Sequence, residues 1–342
     1  MIDVMRAGTL TSIQDLGRSG LRHLGICQSG ALDTLALGLA NRLVGNPSNT
    51  AGIEITIGPT ILRFKRDARI ALTGADFAAT LDETPVNAWW SLPVRAGQVL
   101  TLRAPRHGMR AYLAIAGGID VISLLGSRST DLQAGFGGLG GRALRDGDRL
   151  PVGGAHQGRE LALGPDTAGF GVKSPALCEF GHIPVAPGFA VAGNNDTVIR
   201  VLPGPEYESF PAAAQAAFWA SPWRITPHSN RMGYRLAGPA LARDDQQDLL
   251  SHAVLPGTIQ VPPNGQPIVL MGDAQTSGGY PKIGAVISAD LWRLAQARLN
   301  TTLRFVPVEL KDARLALVKI EQYLQQIELA LQMRRERLKM GK

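Results

Sequence analysis

Glycine or proline interrupts almost every apolar run in this chain, and that spacing limits the fold more than any other feature. In the first half, Ile53–Ile57, Ile61–Phe64, Ile70–Thr73, Val99–Leu102 and Tyr112–Ala116 are short aliphatic and β-branched stretches. Gly58-Pro59, Gly74, Pro93, Gly97 and Pro105 stand between them. Runs this short, bounded by turn formers, read as strands. With 40 glycines and 22 prolines in 342 residues, an all-helical bundle does not fit. A chain of this length also exceeds the roughly 250–300 residues at which single cores stop growing, so two domains are expected.

Two helices stand out against the strands. Leu35–Leu43 has helical spacing, follows the capping residue Asp33 and stops before Gly45-Asn46-Pro47, while Ala212–Trp219 reads as a second helix. Residues 153–196 are rich in Gly, Ala and Pro and read as an irregular connection, after which strand patterning resumes at Val198–Leu202 and continues to Val306. The expected partition is a first β-barrel-like domain over 1–155, a linker over 156–196, a second β-barrel-like domain over 197–308 and a helix over 309–342. In that helix Ala313, Leu317, Ile320, Leu324, Ile327 and Leu331 form an apolar seam, to be buried against its own barrel or a partner. An echo links the halves. A Gly-initiated strand (Gly58–Phe64, Gly257–Val261) precedes one that ends in Gly near Asp (Ile70–Asp76, Ile268–Asp273), with a third strand following (Gly97–Arg103, Asn300–Phe305). It is read either as two related β domains or as turn chemistry shared by chance.

Several function classes fall away. The net charge of +7 is concentrated in the last 32 residues, where eight Lys/Arg face four Asp/Glu. Elsewhere the charges alternate in sign without a basic helix, which argues against a nucleic-acid binder. Nothing approaches the ~20 apolar residues of a membrane span. No basic region followed by an apolar run opens the chain, so a cytoplasmic protein without a signal peptide is expected. The two cysteines, Cys27 and Cys178, make no zinc or disulfide pattern, and the six histidines show neither HxH nor HExxH spacing, so no metal site is expected.

Some motif matches fail on context. Gly135–Gly140 satisfies GxGxxG, but Ser129–Leu132 before it and the turn-rich Arg142–Asp148 after it are not the strand and helix of a dinucleotide fold. The loop could still wrap an anion. Lys173-Ser174 resembles a P-loop ending, but Val172 stands where glycine is required. No GxSxG elbow occurs.

Two later segments carry more. Ser229–Leu236 (SNRMGYRL) sets an amide and two guanidiniums around a glycine. Arg suits bidentate binding of carboxylate or phosphate, and Asn can orient a carbonyl. Asp273–Lys282 (DAQTSGGYPK) compresses acid, amide, hydroxyls, phenol and amine around Gly278-Gly279, where backbone can approach a ligand closely. Each alone is also what a polar hairpin turn looks like. In the first half, Asp15 and Arg18 of TSIQDLGR read as a structural pair, and Asp33 of SGALD as a helix cap.

Together the motifs RAGTLTSIQDLGR (6–18), SGALD (29–33), ANRLVGN (40–46), LTGADF (72–77), GMRAYLAIAGGID (108–120), GSRSTDL (126–132), PGPEY (203–207), SNRMGYRL (229–236), LPGTIQVPPNGQPIVL (255–270) and DAQTSGGYP (273–281) are recognisable. The sequence resembles the biotin-dependent carboxyltransferase-like family, which includes the second subunit of allophanate hydrolase and the larger component of the Kip-type antikinases, and within it the C-type branch of ATP-dependent 5-oxoprolinases. The resemblance runs from Val4 to about Val308. It implies a mainly β fold of two tandem cyclophilin-like β-barrel domains with a C-terminal α-helix. It implies one member of a multi-protein enzyme that opens 5-oxo-L-proline to L-glutamate while hydrolysing ATP, with Mg2+, and that this chain is inactive alone. The implied partners are a B-type 5-oxoprolinase protein, in stable hetero-oligomer with this chain, and an A-type protein. No covalently attached biotin is expected on this chain. The alternatives are a carboxyltransferase-type component of a biotin-dependent urea carboxylase or allophanate-related system, and an antikinase regulatory binding protein.

A lactam is a poor electrophile because its nitrogen donates into the carbonyl, and phosphorylating the carbonyl oxygen makes the carbon open to water. Such a site needs cations for phosphate, donors for the developing oxyanion and a base. By residue type, Arg231 and Lys282 are candidate phosphate ligands, and Asn230 and Gln275 candidate carbonyl-orienting groups. Asp273 is the candidate base or metal-associated carboxylate, Thr276 and Tyr280 are candidate donors, and Gly278 and Gly279 keep the backbone accessible. Asn230, Arg231, Asp273, Gln275, Thr276 and Tyr280 are expected to converge on one cleft.

Overall fold

The structure, a computed structural model, describes residues 1–154, 168–181, 183, 196–243 and 249–340. The linker expected over 156–196 lies largely outside the described residues. The chain forms two compact units, each discontinuous in sequence: Met1–Arg18 with Ser29–Leu177 and Glu321–Lys342, and Ser19–Gln28 with Cys178–Ile320.

In the first unit the short apolar runs become two six-stranded antiparallel sheets rather than one closed ring. One runs in the order Arg149–Leu150, Ile2–Arg6, Thr60–Phe64, Val99–Leu102, Thr80–Leu81, Thr84–Pro85. The other runs Phe170–Gly171, Trp90–Val94, Ala68–Asp76, His107–Ile115, Gly52–Thr56, Leu10–Gln14. Ile2, Val4, Leu62, Phe64, Leu100 and Leu102 of the first sheet share one core with Ile53, Ile55, Ile70, Leu72, Leu113 and Ile115 of the second. The strand His107–Ile115 is buried on both faces from Met109 on, which explains its apolar run from Ala111 to Ile115. Ala111, Leu113 and Ile115 face that core, while Tyr112 packs with Ala31, Ala36 and Leu37 at the start of helix α1 (Thr34–Leu43). As expected, Asp33 caps α1, its carboxylate accepting from the Ala36 N–H at 2.8 Å.

The second unit contains a closed seven-stranded barrel: Asp196–Pro203, Lys282–Val286, Thr258–Gln260, Ile268–Leu270, Gly233–Ala237, Trp223–Ile225 and Thr302–Pro307. Thr302–Pro307 closes the ring by pairing in parallel with Asp196–Pro203, Asp196 opposite Thr302 and Val201 opposite Pro307. Helix α2 (Ala212–Ala220) packs Phe218 edge-on to Trp219 and against Phe305, with ring centroids 4.6 and 5.0 Å away. A short helix α3 (Leu291–Gln296) precedes the last barrel strand, and α4 (Leu310–Lys339) ends the chain.

The mainly β fold with a C-terminal helix matches the sequence reading. The echo between the halves does not extend to strand pairing. Thr60–Phe64 pairs with Val99–Leu102 and lies in a different sheet from Ala68–Asp76, whereas Thr258–Gln260 pairs directly with Ile268–Leu270. Similar turns recur without dictating which strands meet. The seam of α4 also differs from the expected one. Ala313, Ala316, Tyr323, Ile327 and Leu331 are buried, and Leu317 is 38% exposed. Ala313, Ile327 and Leu331 of the expected seam are buried, while Ala316 and Tyr323 take the places expected for Leu317 and Leu324.

Candidate functional site

Both late polar segments belong to the second unit, and the barrel ladder explains their approach. Gly233–Ala237 pairs with Ile268–Leu270, so the turn entering the first strand meets the loop leaving the second. Asn230 makes that turn tight. Its side-chain oxygen accepts from the Met232 N–H at 2.8 Å, and its own N–H donates to the Gly233 carbonyl at 3.1 Å. Arg231 is thereby aimed inward, 4% exposed. Its Nε and Nη2 donate to Oδ2 and Oδ1 of Asp273 at 2.8 and 3.0 Å, a parallel two-bond fork between buried groups. The Asp273 N–H returns a bond to the Arg231 carbonyl at 3.0 Å. Residue type alone assigns these two side chains separate roles toward phosphate and proton. The structure joins them instead as one ion pair that fastens two loops.

Beyond Asp273 the chain turns outward. Gln275 and Tyr280 are exposed and Thr276 is half-buried. This loop is anchored through its backbone: the Gln275 carbonyl accepts from Arg22 Nη2 at 2.9 Å, and the Thr276 carbonyl from the Val254 N–H at 3.1 Å. Arg22 also donates to the Val254 carbonyl at 2.7 Å, and burial lowers its pKa below the usual guanidinium value. Ser277-Gly278 then forms a two-residue ladder with His252-Ala253. Gly278 and Gly279 are required by close approach: a Cβ at the first would stand 2.8 Å from Gln260 Nε2, and at the second 2.7 Å from the Leu249 carbonyl. The glycines therefore admit this chain's own groups.

Lys282 lies at the start of the next barrel strand, its side chain 6% exposed. Its ammonium stands 3.4 Å from Glu206 Oε2 and makes no hydrogen bond among the described residues. The same Glu206 oxygen accepts the Lys282 backbone N–H at 2.9 Å, and Oε1 stands 3.5 Å from His252 Nε2. Sequence reasoning does not single out Glu206 or His252. The available signal is Pro203-Gly-Pro-Glu206. A Cβ at Gly204 would run into the Lys282 carbonyl, so only glycine lets this segment lie against the lysine's strand.

The structure thus links Asn230, Arg231 and Asp273 directly, and connects Lys282 to Gly278 through Glu206 and His252. Gln275, Thr276 and Tyr280 project from the loop between. Among the described residues no three His, Cys, Asp or Glu side chains gather as metal ligands.

The early motifs of the first unit build a different cluster. Asp15 does not pair with Arg18. It accepts from the Ser127 and Ser129 hydroxyls at 2.6 and 2.5 Å and from the Arg128 and Gly17 N–H groups at 2.6 and 2.8 Å. Arg18 donates to the Ser129 carbonyl at 2.7 Å and lies 4.4 Å over the Phe136 ring. The loop Gly135–Gly141, with Asp120, Val121, Ile122, Leu124 and Pro151, lines a cavity of about 570 Å³ in this unit.

Comparison with known proteins places this arrangement. Residues 24–307 match the carboxyltransferase domain family, subdomains A and B. A protein of Escherichia coli named as the C subunit of 5-oxoprolinase is 49% identical over 96% of this chain and 97% of its own length. Its namesake in Haemophilus influenzae is 42% identical over 96% and 97%. A putative urea carboxylase of Emericella nidulans is 33% identical over 95% of this chain, which spans 26% of that protein. The crystal structure of the Kluyveromyces lactis urea carboxylase superposes with a TM-score of 0.78 at 30% identity, covering 92% of this chain and 28% of that one. The chain belongs to the carboxyltransferase domain family built from subdomains A and B.

Proposed function

We propose that this chain is the C-type component of an ATP-dependent 5-oxoprolinase, a cytoplasmic enzyme that opens 5-oxo-L-proline to L-glutamate. The observation that carries this reading is the end-to-end similarity to two bacterial proteins named as 5-oxoprolinase C subunits, against urea carboxylases of which this chain spans only a part. The chain is inactive alone and works with a B-type protein, in stable association, and an A-type protein. ATP enters as a substrate with Mg2+, and no biotin is attached to this chain.

In this reading the second unit supplies the polar groups. The Lys282 ammonium, buried and without a hydrogen bond among the described residues, is the cation for an anionic oxygen of substrate or phosphoryl group. Gln275, Thr276 and Tyr280 offer donors on the loop beside it, and the Asn230 side chain contributes its amide NH2. Arg231 and Asp273 hold the loops that present these groups, each satisfying the other's charge. The test is a coupled assay of the three co-purified proteins with 5-oxoproline and ATP. Glutamate and ADP are expected only when this chain is present, and equal turnover in its absence overturns the assignment.

A further inference from the structure

We propose that Glu206 is a positioning residue of the anion site, holding the Lys282 ammonium in place. This rests on the proposed role of Lys282 and adds the residues that make that role physically possible. An ammonium taken out of water is costly unless a counter-charge accompanies it. Among the described residues, Glu206 is the carboxylate in ion-pair contact with Lys282.

The geometry separates anchoring from occupancy. Glu206 Oε2 accepts the Lys282 backbone N–H at 2.9 Å, which fixes the carboxylate against the start of the strand. The ammonium, at 3.4 Å from that oxygen, contributes charge without a hydrogen bond among the described residues, so its N–H donors are not spent on protein groups there. On the other side, His252 Nδ1 donates to the Leu250 carbonyl at 2.9 Å, and Nε2 stands 3.5 Å from Glu206 Oε1, a contact that is an ion pair only when the imidazole is protonated. His252 is also paired across the short ladder with Gly278. The carboxylate therefore connects the lysine to the polar loop. An anionic ligand on Lys282, whether carboxylate or phosphoryl, would lie beside that loop's donors. The Pro-Gly-Pro-Glu segment exists in this form because Gly204 must pass against the Lys282 carbonyl.

The substitution Glu206→Gln separates charge from shape, because glutamine still accepts the Lys282 N–H through its carbonyl. The assembled enzyme carrying Glu206→Gln, Lys282→Met or both is titrated by calorimetry with 5-oxo-L-proline and, separately, with inorganic phosphate, and its KM and kcat are measured. Thermal unfolding of each variant establishes that it is folded. Either single substitution is expected to weaken binding of the anion about tenfold, with KM rising more than kcat falls, and the double variant to be no weaker than Lys282→Met. Glu206→Asp is expected to recover part of the loss. Wild-type affinity and KM in a folded Glu206→Gln enzyme would overturn the proposal, as would losses that add fully in the double variant. If the wild type binds phosphate through Lys282 but not 5-oxoproline, the anion site stands and the 5-oxoprolinase reading falls. If Lys282→Met leaves binding of both probes unchanged, the anion site itself falls.

Discussion

Arg231 and Asp273 illustrate how burial changes the meaning of a charged residue. An exposed Arg is available to a ligand, whereas here both groups are about one twenty-fifth exposed and spend two parallel hydrogen bonds on each other. Removing one partner takes the two-bond fork away from the other's buried charge, a loss of about 3–5 kcal/mol for buried pairs. Arg231→Ala is therefore expected to lower the denaturant midpoint of the protein strongly, with activity falling in step with the folded fraction. Replacing both residues by apolar side chains of similar volume is expected to cost less than either single change. Unfolding curves of the two singles and the double measure this. A folded Arg231→Ala protein of wild-type stability whose KM alone rises would return the guanidinium to the role of ligand.

At the scale of elements, the central strand of the first unit carries a buried polar relay that only its packing explains. The Tyr112 hydroxyl donates to Glu54 Oε2 at 2.8 Å and accepts the Asp33 N–H at 2.8 Å, while the Leu32 N–H donates to the same Glu54 oxygen at 3.0 Å. This ties the turn before α1 to two neighbouring strands. Burial first, then the nearby charges of Glu54 and Asp33, push the Tyr112 phenol well above its ordinary value. An acid that holds its proton more tightly when folded contributes stability that is complete below the unfolded value near ~10 and is lost as pH rises beyond it. Stability is thus expected to fall above about pH 10, and Tyr112→Phe to flatten that alkaline loss while costing about 1–3 kcal/mol at neutral pH by removing the hydroxyl that bonds Glu54 and the Asp33 N–H. Denaturant midpoints across that pH range check both signs. Elements of this kind mark the limit of what is legible in the sequence. Helix α1 can be read residue by residue because cap, apolar spacing and stop signal are all local. The strands are legible because glycine and proline delimit them. The Arg231–Asp273 pair, the Asp15 cluster and Glu206 are not, because each depends on which strands become neighbours. The separate fates of Gly58–Phe64 and Gly257–Val261 show that local turn chemistry leaves that choice open.

At the scale of the whole molecule, the C-terminal helix decides whether its apolar face is available to another chain. No described helix is long and apolar enough to cross a membrane. Most of the face is already covered by this chain. Ala313 and Ala316 cluster with Ile287 and Ala289, and further along the Tyr323 hydroxyl donates to the Lys173 carbonyl at 2.5 Å while Arg334 lies 4.3 Å over the Phe170 ring. Leu317, Leu329 and Met333 remain outside, 38%, 54% and 51% exposed. Two sets of substitutions separate the faces. Ile327→Ala and Leu331→Ala remove buried volume and are expected to cost about 2–5 kcal/mol each, whereas Leu317→Ala and Leu329→Ala are expected to stay within about 0.5 kcal/mol. Because the covered face is satisfied internally, the proposed association with a B-type protein is expected to use another surface. Co-expressed protein carrying Ser at positions 317, 329 and 333 should therefore still elute with that partner in size-exclusion chromatography at micromolar concentration. Separation of the two chains by these exposed substitutions alone would assign the outer face of α4 to the partner, and separate elution of the unsubstituted chains would remove stable association from the proposed function.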